Sequence, residues 1–158
     1  MQWHAEPRNG QFFATGDAAW NNDRSPWNLA SRWNDPSIAE IACAFARLRE
    51  RLRPMLYEEA KACVKEGRPM MAHLCLDFPE DPLALACGDE YMLGRRLLVA
   101  PIVQPGAEGR KVYLPKGRWK HFFTGRVYEG GQTVELACPL NEALVLEREE
   151  EERWNCAI

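Results

Sequence analysis

His4, Glu6 and Arg8 alternate along the opening stretch MQWHAEPR, and alternate residues of an extended segment share one side. An imidazole, a carboxylate and a guanidinium placed together can hold the hydroxyls of a sugar by charge-assisted hydrogen bonds. On an exposed polar segment the same three residues would do no chemistry, and the spacing alone leaves both readings open. Trp20, Trp27 and Trp33 follow, each able to stack on a ring or to anchor a loop. In NNDRSPWNLA, Asp23 and Arg24 are placed to pair, and Ser25-Pro26 reads as the start of a turn.

Hydrolysis of a glycosidic bond needs two carboxyl groups about 5 to 9 Å apart. Asp77, Glu80, Asp81, Asp89 and Glu90 stand around turns, but none sits at an aromatic or glycine-rich strand end that would perturb its acidity. They are expected to be turn and capping residues. No Ser-His-Asp arrangement, phosphate loop or His-Glu-x-x-His pattern occurs. Cys43, Cys63, Cys75, Cys87, Cys138 and Cys156 are far apart without a Cys-x-x-Cys pair, which argues for free thiols rather than zinc ligands or disulfides. The residues imply no metal and no cofactor, and offer ligand-binding parts without a catalytic engine.

The elements that must position these residues divide into two kinds. Residues 1–34 show no periodicity and are rich in Asn, Asp, Gly and Pro, so a long loop is expected, functional or displaced from missing surroundings. Asp35-Pro36 then supplies an N-cap acceptor and a proline at a helix start. Ile38, Ile41, Phe45, Leu48, Leu52, Met55 and Leu56 recur at helical spacing. Pro54 is expected to kink or interrupt that helix, and Gly67 to cap its end in a left-handed conformation. Beyond Gly67 the period becomes two. RPMMAHLCLDFP, RRLLVAPIV, RKVYLP, GRWKHFFTG, RVYEGG, QTVELAC and ALVLER read as short strands separated by Gly and Pro turns, the pattern of an antiparallel β-sandwich. The fold class expected is α+β, a loop and kinked helix over residues 1–67 followed by a sandwich over residues 68–148. Residues 149–158 are expected to be a solvated, charged tail.

The 158 residues carry a net charge of −3 with charges of both signs interspersed, which gives no electrostatic pull toward nucleic acid or an anionic membrane. No apolar run approaches the length of a membrane span, and no secretory leader pattern follows Met1. A cytoplasmic location is expected.

Five stretches, in order and spacing, carry a resemblance: DRSPWNLA, FARLRERLRPMLYEEAKACVKEGRPMM, LCLDFPEDP, DEYMLGRRLLVAPIVQPGAEGRKVYLPKGRW and FFTGRVYEGGQ. Together the sequence resembles the C-terminal part of glycoside hydrolase family 31, the α-glucosidase and α-xylosidase family, over about residues 1–146. The resemblance implies a (β/α)8 barrel whose strand ends carry an aspartate nucleophile and an aspartate acid/base, and retaining cleavage through a glycosyl-enzyme intermediate. MQWH then corresponds to the end of the eighth barrel strand, residues 35–65 to the closing barrel helix, and residue 68 onward to the proximal sandwich.

By the same resemblance both catalytic aspartates belong upstream of these residues, and His4 is the substrate contact, hydrogen-bonding hydroxyls of the sugar in the −1 subsite. The tryptophans then read mainly as packing for the loop. Many members have Arg where Gln2 stands, Arg where Ala72 stands, acidic residues at Arg95 and Arg96, and Pro at Ala143; these exchanges are expected to weaken docking of barrel on sandwich. The expectation is a fragment of a retaining α-glycosidase, inert by itself, with a sugar substrate and the missing barrel portion as partners. Separated from its barrel, the stripe of Ile38, Ile41, Phe45 and Leu48 is expected to favour self-association. The alternative is a standalone β-sandwich that binds carbohydrate or protein without catalysis. A third possibility is a subunit that complements a separately encoded barrel half.

Overall fold

Ser25 opens the first helix in the structure, a computed structural model that describes residues 25–149. Its hydroxyl oxygen accepts a hydrogen bond from the Asn28 N–H at 3.2 Å, and Pro26 follows at a position whose missing N–H costs nothing. The helix α1 (Pro26–Trp33) ends on Asn34 at φ 51°, whose N–H turns back to the carbonyls of Ala30 and Ser31. These residues were expected to be loop. Ser25-Pro26 is the same cap-and-proline pair as Asp35-Pro36 and starts a helix for the same reason. Trp27 and Trp33 lie on α1 with more than half of each side chain exposed, against the expectation that they serve mainly as packing.

Asp35 starts the second helix, α2 (Ser37–Glu66). Its Oδ1 accepts from the Ser37 N–H at 3.0 Å and from the Ser37 hydroxyl at 2.6 Å. Pro54 does not interrupt α2, which continues for twelve further residues. A proline ring removes one ladder bond, here to the Glu50 carbonyl, and complete turns on both sides outweigh that loss. The helix stops at Gly67, φ 67°. The Gly67 N–H donates to Val64 O at 3.3 Å and the Arg68 N–H to Cys63 O at 2.9 Å, the paired bonds of a Schellman cap.

By packing, the chain divides into two units, Met1–Pro54 and Met55–Ile158. The described part of the first holds α1 and the start of α2, with Ile38, Ile41, Phe45 and Leu48 half-buried. The second holds the last turns of α2 and every described strand. Those turns go with the strands because Cys63 is buried, Glu59 Oε2 accepts from the Arg95 N–H at 3.0 Å, and Glu66 pairs with the Arg95 guanidinium.

Eight strands follow: β1 (Met71–His73), β2 (Tyr91–Leu93), β3 (Leu97–Val99), β4 (Gly109–Leu114), β5 (Arg118–His121), β6 (Val127–Glu129), β7 (Gln132–Ala137) and β8 (Val145–Glu149). They form a six-stranded sheet ordered β1-β2-β3-β8-β5-β6 and a two-stranded sheet β4-β7. Every pairing is antiparallel, as the turn spacing led one to expect. Side chains from both sheets meet in one core: Met92, Leu98, Trp119 and Leu146 from the larger, Val112, Leu114 and Leu136 from the smaller. Trp119 is fully buried, and its indole N–H donates to Pro115 O at 2.7 Å. That bond lets a large polar-tipped ring enter an apolar core without an orphaned donor. Gly130 makes the β6–β7 turn possible, since a Cβ there would stand 1.9 Å from Pro115 O.

Two local expectations give way. The alternation over residues 68–79 yields a strand of only three residues, because Leu74–Leu76 wind into a 3-10 turn. His73 holds that turn, its Nδ1 accepting from the Cys75 N–H at 3.1 Å. A short helix, α3 (Pro82–Ala86), and β2 were not foreseen. Of the tail, Glu149 alone is described, and it lies in β8 facing Arg118, 3.4 Å away. Among the described residues no helix is long and apolar enough to cross a membrane.

Candidate functional site

His4 lies outside the described residues, as do Glu6, Arg8, Trp20, Asp23 and Arg24. The turn carboxylates are all within them. Asp77 closes a bidentate pair with Arg68, both oxygens at 2.6 Å from the guanidinium nitrogens. Arg68 also donates to Gly94 O at 3.1 Å, and the Asp77 carboxylate raises its pKa further. Arg68 thus ties the end of α2 to the 3-10 turn after β1 and to the turn after β2. Asp81 caps α3, Oδ1 accepting from the N–H groups of Leu83 and Ala84 at 3.0 and 3.2 Å. Its Oδ2 accepts from the Tyr113 hydroxyl at 2.6 Å. That bond holds the Asp81 carboxyl below its ordinary value, while burial, with the Asp81 carboxylate, pushes the Tyr113 phenol up to about 12. Asp81 is a capping residue, as its position before Pro82 suggested.

Glu90 departs from expectation. It stands just before β2, is only 5% exposed, and its Oε1 accepts from the buried Tyr113 N–H at 2.9 Å and faces Arg110 Nη2 at 3.4 Å. Among the described residues its Oε2 has no hydrogen-bond partner. Burial raises the Glu90 pKa, against the pull of the Tyr113 N–H and Arg110. The reading that none of these carboxyls is perturbed therefore fails at Asp81, lowered by its Tyr113 bond, and at Glu90, raised by burial. The missed signal was the alternation Glu90, Met92, Gly94, all three buried, which turns the carboxyl inward with the core side of β2. Beside it, Cys87 Sγ lies 3.7 Å from Asp89 Oδ1, and burial with the neighbouring Glu90 pushes this thiol up to about 11.

Arg110 binds this corner together. Its guanidinium donates to the carbonyls of Lys111, Asp89 and Pro101 at 3.0, 3.1 and 2.9 Å, and pairs with Asp89 Oδ2 at 2.6 Å. Asp89 and Arg110 line a cleft of 310 Å³ with Ile102, Gln104 and Lys111. With its donors spent on protein oxygens, Arg110 has little left for an anionic ligand. His121, also buried, holds a turn: its Nδ1 accepts from the N–H groups of Phe123 and Thr124 at 3.3 and 3.2 Å. Asp77, Asp81 and Asp89 are thus engaged in ion pairs and caps, and Glu90 faces inward toward Arg110. None of these four is placed as an acid/base pair across a substrate cleft.

Arg95 and Arg96 find acidic partners within this unit, Arg95 in Glu66 and Arg96 in Glu147 at 2.8 Å. Ala72 is fully inside the core. These positions thus have structural roles on the sandwich itself.

Within the described residues, Asp77, Asp81 and Asp89 thus serve an antiparallel sandwich as caps and ion-pair partners. Residues 67–151 match the glycosyl hydrolase family 31 C-terminal domain, and the chain belongs to that family. It is 32% identical to an isomaltosyltransferase of Sporosarcina globispora, over 90% of this chain and 12% of that one. It is 31% identical to the neutral α-glucosidase AB of Mus musculus, over 94% of this chain and 15% of that one. Among solved structures it is similar to the cycloalternan-degrading enzyme from Trueperella pyogenes in complex with covalent intermediate. The TM-score there is 0.79 at 35% identity, covering 82% of this chain and 18% of that chain. The chain thus spans less than a fifth of the length of each.

Proposed function

We propose that these 158 residues are the last wall of the catalytic barrel (residues 1–67) and the proximal sandwich (residues 68–148) of a retaining α-glycoside hydrolase. In this reading His4 hydrogen-bonds the sugar in the −1 subsite, and the nucleophile and acid/base aspartates come from the rest of the barrel. The observation that carries it is the joint one of family and site: the match falls on the family's C-terminal domain, and Asp77, Asp81 and Asp89 are tied to caps and arginines. Cleavage with retention fits the covalent intermediate named for the Trueperella pyogenes relative. Free thiols at Cys43, Cys63, Cys75, Cys87 and Cys138 fit a reducing cytoplasm.

Without nucleophile and acid/base the covalent route is closed, so the 158-residue chain by itself is inert toward α-glucosides. Purified chain incubated with p-nitrophenyl α-glucoside is expected to release no nitrophenol above the buffer rate. Turnover that disappears on His4→Ala would overturn the reading, because it would place a complete catalytic site within these residues.

A further inference from the structure

We propose that Cys87, Asp89 and Glu90 form a binding site for a thiophilic divalent cation such as zinc on the sandwich. The thiol and one oxygen of each carboxylate lie within 4.8 Å of one another. Arg110 engages only one side of the acids, through Asp89 Oδ2 and Glu90 Oε1. That leaves Asp89 Oδ1 beside Cys87 Sγ, and Glu90 Oε2 sealed from solvent without a partner. An orphaned oxygen on a side chain 5% exposed is costly, and a cation would satisfy it.

The geometry suits zinc. A sulfur and an oxygen on one tetrahedral zinc stand about 3.6 Å apart, given bonds of about 2.3 and 2.1 Å, and Cys87 Sγ and Asp89 Oδ1 stand 3.7 Å apart. The Asp89 side chain is half exposed, so it has room to adjust around an ion. Asp89 also lines the cleft, which gives the ion an entry path and water as a fourth ligand. Charge balances too: thiolate and two carboxylates less the Arg110 cation leave two negative charges for a dication. On binding, the Cys87 S–H bond breaks, its proton passes to solvent and a sulfur–metal bond forms. A sulfur ligand selects zinc, cobalt or cadmium over magnesium or calcium.

Cobalt(II) titrated into the full chain is the test, because a thiolate ligand gives a near-ultraviolet charge-transfer band. One equivalent is expected to bind with that band, to be displaced by zinc, and to be unaffected by excess magnesium. Cys87→Ser is expected to lose the band, and Cys75→Ser to keep it. Asp89→Asn, at a half-exposed position that does not threaten the fold, is expected to weaken cobalt binding at least tenfold. Saturation without the charge-transfer band, or undiminished affinity in both Cys87→Ser and Asp89→Asn, would overturn the proposal.

Discussion

Replacing Asp77 by Ala removes both acceptors of the Arg68 guanidinium at once. The Arg68 and Asp77 side chains are 9% and 12% exposed, so little water can take the carboxylate's place. What remains is one bond from Arg68 to Gly94 O, while Arg68 Nε is already buried without a partner. Breaking a buried pair by deleting one member costs about 3 to 5 kcal/mol, because the other charge stays behind uncompensated. Against a total stability of about 5 to 15 kcal/mol that is a large fraction. The double variant Arg68→Met, Asp77→Leu removes both charges and fills the space, and is expected to lie within about 1 kcal/mol of wild type. Urea unfolding followed by the fluorescence of buried Trp119 reads both. An Asp77→Ala loss below about 1 kcal/mol, the scale of exposed pairs, would refute this reasoning. So would a double variant as unstable as the two single changes added together.

Two further outcomes follow from the turns. Burial holds the His121 pKa below its ordinary 6.5, against a smaller opposing pull from Glu142. The unfolded chain therefore takes up a proton below that pH while the folded one resists. The stability due to His121 is intact above pH 6.5 and is lost as pH falls toward the folded value. His121→Asn, which still offers an oxygen to the Phe123 and Thr124 N–H groups, is expected to flatten that acid-side decline in urea midpoints; an unchanged slope would count against it. Gly130→Ala is expected to cost at least about 2 kcal/mol, since its Cβ would meet Pro115 O at 1.9 Å, whereas Gly88→Ala, with nothing within 4 Å, is expected to be near neutral. Equal melting temperatures for the two would refute the close-approach argument.

Helix α2 was legible from its start at Asp35-Pro36, its stripe and its Gly67 cap because each is a local device whose physics acts within a few residues. Helix α1 carries the same device at Ser25-Pro26 and was passed over for want of an apolar stripe behind it. Short strands were found where Gly and Pro bracket them. The alternation from Met71 to Leu76 misled: Ala72 and Leu74 are buried as one strand face would be, but the chain winds into a 3-10 turn at Leu74 and leaves Leu76 exposed. At Pro54 the interruption half of the expectation fails, because α2 runs on through the proline. Glu90 and its arginine were invisible as a cluster, since Glu90 and Arg110 are twenty residues apart and meet only once β2 and β4 have packed. The reading of His4 as a sugar contact rests on family likeness alone, and His4 lies outside the described residues.

The strand order β1-β2-β3-β8-β5-β6 carries a consequence for synthesis on the ribosome. β8 is the seam of the larger sheet: it joins β3 on one side and β5 on the other, and those two have no pairing with each other. Seven of the described strands therefore emerge before the one that stitches them, and until Val145–Glu149 leaves the exit tunnel two half-sheets wait with open hydrogen-bonding edges. A translational pause or premature stop just before Val145 would release a chain with nearly all of its core residues and two sticky borders, a natural client for a chaperone.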